Sequence, residues 1–261
     1  MILAAVAPGW VPRLRAAGDE FVIVPAPRWH DVLEAIRLRR VDMAVVDPRL
    51  GGEARSHEVE RIRLLFPSLP LLLYTTLEPA TAGALLDLGR SGVRRALFHR
   101  FDDSPAAIRA AIRAELQRSA SQQVMQSMAG ALVELPEQVQ AGLEALLDVQ
   151  VGARTVSELA LRSNTERRTV ERLFLRAGLP SPRVVLMALR LLYAHRLLLD
   201  PGHTVEDVAV KLGYGKTKTF QAHCREVFGL TAGELRITLS VEEAVEAVME
   251  RYLTRQRRAV S

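Results

Sequence analysis

Over residues 2–118 short apolar runs alternate with amphipathic stretches. The runs 2–6, 21–24, 41–46, 71–74 and 93–98 have the length and Val/Ile/Leu content of buried strands. Residues 29–40, 53–66 and 79–88 place apolar positions at helical spacing, with a shorter helix over 11–17 and another after Ser104, where Pro105 suits a first turn. Five such strands alternating with helices predict a parallel, doubly wound sheet, which binds ligands at the carboxyl ends of its strands.

The pattern changes in the second half. In 203–236, Thr204 can cap a helix, with Asp207 three residues on to answer it. Val205, Val208, Ala209 and Leu212 share one face, and Gly213 stops the helix. A second helix from about Lys216 has Phe220, Cys224, Val227 and Phe228 as its apolar stripe and ends at Gly229. Its other face carries Thr217, Lys218, Gln221, Ala222 and Arg225. This is a helix-turn-helix whose second helix is small, polar and basic outside, as entry into a major groove requires.

A similar unit lies upstream. Over 155–178, Thr155 or Ser157 caps a helix bearing Val156, Leu159 and Ala160, and a turn around Ser163 and Asn164 leads to a helix with Val170, Leu173 and Phe174 inward. Arg167, Arg168, Glu171, Arg172 and Arg176 face outward. Between the units, 182–199 is apolar enough for a central helix packed on both sides.

Charge sharpens this. The chain of 261 residues carries +5 overall, yet 154–236 alone holds 14 Lys or Arg against 8 Asp or Glu, and the three lysines Lys211, Lys216 and Lys218 all lie there. A basic excess of this kind favours phosphates without defining a site.

At Ala160, Val170, Arg172, Phe174, Gly178, Arg190, Ala194, Leu198, Ala209, Gly213, Tyr214, Phe220, Phe228, Gly229 and Arg236 the sequence resembles the DNA-binding domain of AraC/XylS-type transcription regulators, over about 135–236. It departs at Ala222, where the family often has a DNA-contacting Arg, at Cys224 in place of Phe, and at Ala232 and Leu235 in place of Pro and an aromatic. The resemblance implies double-stranded DNA as partner, with RNA polymerase as a further one, and an all-α double helix-turn-helix domain. Two helices, about 166–177 and 216–228, would enter successive grooves roughly 34 Å apart. Arg168, Glu171, Arg172, Thr217, Lys218 and Gln221 are the candidates for base edges; Arg176, Lys216 and Arg225 suit phosphates. Glu171 could instead orient Arg167 or Arg168.

In the first half, Asp47 ends the third strand, Thr75 the fourth and His99 the fifth. This placement resembles the receiver domain of response regulators over 1–118, with Asp47 at the phosphoacceptor position. Receiver chemistry also needs carboxylates for magnesium and a cation for the phosphoryl oxygens. The first strand ends Val6-Ala7-Pro8-Gly9, without a carboxylate, and His99 stands where receivers have Lys. Arg100 falls on the neighbouring position, and Asp102 and Asp103 lie beyond the fifth strand. The reading is a pseudo-receiver with a vestigial site at Asp47, Thr75 and His99; Asp47 is equally an Asp-Pro turn former, and His99 equally a packed histidine.

Residues 119–134 read as a helical linker. Val124, Met125, Met128 and Leu132 extend the stripe of Ile108, Ile112 and Leu116, so the helix after Ser104 reads as running on past Gln117, either packing on its own domain or pairing two copies in a homodimer. Residues 135–149 would open the DNA-binding domain, bounded at 240, and 241–261 form an amphipathic helix with a basic end at Arg255, Arg257 and Arg258.

One cysteine, Cys224, excludes an internal disulfide. No apolar run reaches membrane length and no signal-like segment opens the chain, so a cytoplasmic protein without membrane contact is expected. No cofactor, metal cluster, phosphate-binding Gly-rich loop or nucleophile motif argues for an enzyme. A non-DNA-binding adaptor would have no need of Lys and Arg on both outward faces.

Overall fold

The computed structural model describes residues 1–52, 55–90, 92–148 and 155–253. The chain divides into two compact units, the first built on 1–120 and the second on 121–199 and 203 onward.

In the first unit, strands β1 (Ile2–Ala5), β2 (Ile23–Pro25), β3 (Met43–Val46), β4 (Leu71–Thr75) and β5 (Ala96–Phe98) form one sheet in the order β2-β1-β3-β4-β5. Every pairing is parallel, with Ala4 opposite Val45 and Val46 opposite Leu73. The order reverses between β1 and β3, the switch point at which doubly wound sheets place ligands. Alternation along the strands divides the core. Leu3, Ala5, Ala44 and Val46 pack with α2 (Trp29–Leu38), α3 (Ser56–Leu65) and α4 (Pro79–Arg90). Ile2, Ala4, Met43, Val45 and Tyr74 pack with α1 (Val11–Arg15) and α5 (Pro105–Leu116). The expected strands are present, and β2, β3 and β5 start later than the apolar runs: Val41 precedes β3, and Val93 is buried in the loop before β5.

One expectation is corrected. The helix after Ser104 does not run on past Gln117; α5 stops at Leu116, and α6 (Ala120–Leu132) is a separate helix. The break occurs where Gln117 to Ser119 close short turns, Arg118 N–H donating to Glu115 O and Ser119 N–H to Leu116 O. Val124, Met128 and Leu132 are at most 2% exposed within a single chain, so these three are not available to a second copy as a free stripe.

The second unit continues with α7 (Glu137–Asp148), α8 (Val156–Arg162), α9 (Arg167–Arg176), α10 (Pro182–Leu198), α11 (Val205–Lys211), α12 (Thr217–Phe228), α13 (Ala232–Thr238) and α14 (Val241–Val248). Helix α10 is the hub, touching α7, α9, α11, α12, α13 and α14. Val185, Leu186, Leu189, Leu192 and Leu197 are buried around its girth, which is why its sequence is apolar on all sides. Helix α13 had no forecast of its own; Thr231 and Glu234 form a reciprocal capping box that starts it. The last amphipathic stretch is α-helical over Val241–Val248 and continues as a π-helical turn over Met249–Leu253. Arg255, Arg257 and Arg258 lie outside the described residues. Among the described residues no helix is long and apolar enough to cross a membrane.

Candidate nucleic-acid interface

The upstream helix-turn-helix is α8 and α9. Thr155, not Ser157, caps α8, its hydroxyl accepting from Glu158 N–H at 3.2 Å. Asn164 makes the turn with φ +47°, a left-handed conformation that asparagine tolerates. On α9, Val170 and Phe174 are fully buried. Arg167, Arg168, Glu171, Arg172, Leu175 and Arg176 are exposed. Arg167 Nε donates to Glu171 Oε1 at 3.0 Å, an i,i+4 pair on the surface. Arg168, Arg172 and Arg176 make no ion pair among the described residues, so their guanidinium forks remain free to meet phosphate or guanine.

The downstream unit is α11 and α12. Thr204 Oγ1 accepts from Asp207 N–H at 3.0 Å while Thr204 N–H donates to Asp207 Oδ2 at 2.8 Å, the capping box expected from the spacing. Gly213 takes φ +69°, and Tyr214 N–H returns to Ala209 O at 2.9 Å to close the turn. Phe220, Cys224 and Val227 anchor α12; burial pushes the Cys224 thiol up to about 12, so it is a neutral packing group. Gly229 ends the helix at φ +74°. Lys216 is the residue before the first turn. Lys218, Thr219, Ala222 and Arg225 are exposed, and Thr217 and Gln221 half-buried.

What holds α12 in place reaches back to the hub. The Arg190 guanidinium of α10 lies 3.9 Å over the Tyr214 ring and donates to Leu212 O. Tyr214 Oη in turn lies 3.0 Å from His223 Nδ1 on α12, and its ring sits 5.2 Å from that of Phe220. Arg236 of α13 donates to Leu198 O at 2.6 Å and also to His203 O, tying α13 to both ends of the segment between α10 and α11.

In the first unit the three candidates form two separate arrangements. Asp47 Oδ1 accepts from Thr75 Oγ1 at 2.8 Å and from Arg49 N–H at 3.0 Å. Its carboxyl is buried, and burial raises its pKa above the usual carboxylate range against those hydrogen bonds. Arg49 pairs with Glu78. His99 instead belongs to a cluster centred on Asp103. Its Nδ1 lies 2.9 Å from Asp103 Oδ2, which also accepts from Tyr74 Oη at 2.6 Å and Arg13 Nη1 at 3.1 Å. Trp10 stacks on the His99 ring at 4.6 Å. Burial opposes ionisation of Asp103, but donors from Tyr74, the Arg100 backbone and His99 hold its carboxyl below the ordinary range. Asp103 thus holds His99 in place. Arg100 has φ +68° in the loop after β5. The magnesium site of a receiver does not fit these residues: the Ala7-Pro8-Gly9 segment after β1 offers no carboxylate, and no three His, Cys, Asp or Glu gather as a metal site among the described residues.

The profile described as a helix-turn-helix domain matches residues 159–237, spanning most of α8 and all of α9 to α12. Two similar proteins are the virulence regulon transcriptional activator VirF of Yersinia enterocolitica and the thermoregulatory protein LcrF of Yersinia pestis, each 36% identical over 58 residues. Those matches cover 22% of this chain and 21% of each relative, so the chain matches about a fifth of their length. Full-length FixJ from B. japonicum is a structural neighbour at 19% identity and TM-score 0.37, covering 67% of this chain and 86% of that one. The C-terminal region is an AraC-type helix-turn-helix domain.

Within the AraC-type domain, the positions that carry the family resemblance do mostly scaffold work. Ala160, Val170, Phe174, Ala194, Leu198, Ala209 and Phe220 are buried. Gly178, Gly213 and Gly229 take positive φ, and Arg190 and Arg236 bind backbone carbonyls. Arg172 alone of them stands on the outward face of α9. Of the departures, Cys224, Ala232 and Leu235 are fully buried and fill core space, whereas Ala222 is exposed. Two outward residues went unnamed in the sequence: Thr219, three residues before Ala222, and Leu175, which is 78% exposed. Helical spacing from Arg172 and Ala222 would have found both.

Proposed function

We propose that this chain is a sequence-specific transcription regulator that reads two successive major-groove segments of double-stranded DNA through α9 and α12, with a first unit that signals without taking up a phosphoryl group. The carrying observation is the pair of outward faces, each anchored by buried apolar residues and each presenting unpaired cations. Arg168 and Arg172 on α9 are suited to guanine O6 and N7, and Lys218 and Gln221 on α12 to base edges, with Thr217 beside them. Arg176, Lys216 and Arg225 are assigned to phosphates. Glu171 is assigned to hold Arg167, given their 3.0 Å pair, instead of accepting from cytosine.

The pseudo-receiver assignment rests on the Ala7-Pro8-Gly9 segment and on the engagement of His99 by Asp103 and Trp10. We assign the regulator to the cytoplasm, where its DNA is. RNA polymerase is a partner in keeping with transcription regulation. A homodimer would need a surface other than Val124, Met128 and Leu132; one chain already carries two readers.

Selection of bound sites from random duplex DNA with the full chain tests the reading. The expected result is a motif of two elements about one helical turn apart, each relaxed locally in Arg172→Ala or Lys218→Ala at roughly 1–3 kcal/mol of discrimination. Salt-sensitive binding with no enriched motif would sink it and favour an adaptor. The rival in which Asp47 takes a phosphoryl group predicts labelling by acetyl phosphate that Asp47→Asn abolishes; no labelled species is expected.

A further inference from the structure

The two recognition helices are internal repeats, and their alignment is fixed by burial. Val170 and Phe174 occupy in α9 the places of Phe220 and Cys224 in α12, all four fully buried. The residue midway between each pair is two positions, about 200°, from both anchors and so lies opposite the core. In α9 that residue is Arg172; in α12 it is Ala222, and both are exposed. The flanking positions also correspond, Arg168 with Lys218 and Thr169 with Thr219.

Resting on the DNA-reading function proposed above, we infer that Ala222 is a specificity-determining residue whose methyl group packs against the 5-methyl of a thymine, while Arg172 at the equivalent place in α9 reads a guanine. In the first half of a recognition helix, the face opposite the core anchors is the one that meets base edges. A guanidinium there donates twice to guanine, and a bare methyl there can only make apolar contact, for which thymine offers the one partner in the major groove. Lys218 and Arg225 flank Ala222 on the same face and are exposed, so long side chains frame a short one. The short centre lets the α12 backbone approach the groove floor. The bound site is therefore chemically asymmetric: a guanine in the element under α9 and a thymine in the element under α12, at matching positions.

Deoxyuridine scanning of the selected site tests this, because replacing thymine by deoxyuridine removes only the methyl. With the full chain, one thymine in the α12 element should show a loss of about fourfold on replacement, the worth of one buried methyl. In Ala222→Gly that thymine and its deoxyuridine should bind equally, with the α9 element unaffected. Because glycine weakens a helix, Ala222→Arg is the second variant; arginine is a good helix former and should shift that base pair from thymine to guanine in a repeated selection. A selected motif with no deoxyuridine-sensitive thymine in the α12 element, or a sensitivity that persists in both variants, overturns the inference and leaves the DNA reading standing. No enriched motif at all overturns both.

Discussion

Asp47 ends β3 with both of its hydrogen bonds, from Thr75 Oγ1 and Arg49 N–H, on the same oxygen, Oδ1. An amide oxygen can accept both, so Asp47→Asn keeps the bonds, though without charge assistance, and removes the ionisable group. Burial raises the Asp47 pKa above its ordinary 3.8. A carboxyl shifted upward is favoured in the native state while protonated, and that advantage is lost as pH climbs from its ordinary range through the raised value. Asp47→Asn should therefore raise the melting midpoint of the first unit at pH 7 by roughly 3 °C, and the gain should shrink as pH falls towards the ordinary value and vanish by about pH 3, where the carboxyl is protonated in both states. Scanning calorimetry at both pH values checks it; an equal shift at both, or a loss at pH 7, would show that ionisation is not penalised there. The absence of a carboxylate after β1 was legible in Ala7, Pro8 and Gly9, since a missing charge is visible in sequence. The grip on His99 was not: Asp103 lies across an irregular loop containing Arg100 at positive φ, and Trp10 arrives from a different segment.

At the scale of elements, periodicity located most helices because each buries one face, while the central strands and α10 stood out as continuous apolar runs buried on both sides. It failed where turns decide. The α5–α6 break has no Gly or Pro, so an apolar stripe that keeps helical spacing across 117–119 reads as one helix. Helix α13 went unread although, at seven residues, it is as long as α8 and α11 and its Thr231/Glu234 box was a readable start signal. Tertiary support of α12 was visible only as family-typical residue types. The structure gives it a mechanism: Arg190 stacks on Tyr214 and donates to Leu212 O, and Tyr214 meets His223. Arg190→Met preserves much of the stem but removes the stacking charge and leaves a carbonyl donorless. A loss of about 2 kcal/mol in urea unfolding is expected. DNA affinity should fall further at a selected site than on random duplex, because the downstream reader is displaced while its charges remain. Equal loss on both would assign Arg190 to simple electrostatic attraction.

Across the whole molecule, charge and shape assign separate tasks. The stretch 154–236 carries 14 Lys or Arg against 8 Asp or Glu in a chain of net charge +5, so the residues outside it are together close to neutral. The first unit, residues 1–120, carries 17 Arg against 14 Asp or Glu, and residues 121–153 carry four acids and no base, so the densest basic excess lies in 154–236, which contains both recognition helices. Each cation that neutralises a phosphate releases counterions, giving a slope of about −0.9 per contact in log affinity against log salt. Arg176, Lys216 and Arg225 set a floor of about −2.7 for that slope on duplex DNA. Lys216→Ala should make it shallower by about 1 without changing the selected sequence, whereas Lys218→Ala should alter the sequence preference. Titrations of labelled duplex at several salt concentrations separate the two roles. If Lys216→Ala relaxed the motif and left the slope unchanged, the assignment of phosphate and base contacts on α12 would have to be exchanged, and with it the depth at which that helix sits in the groove.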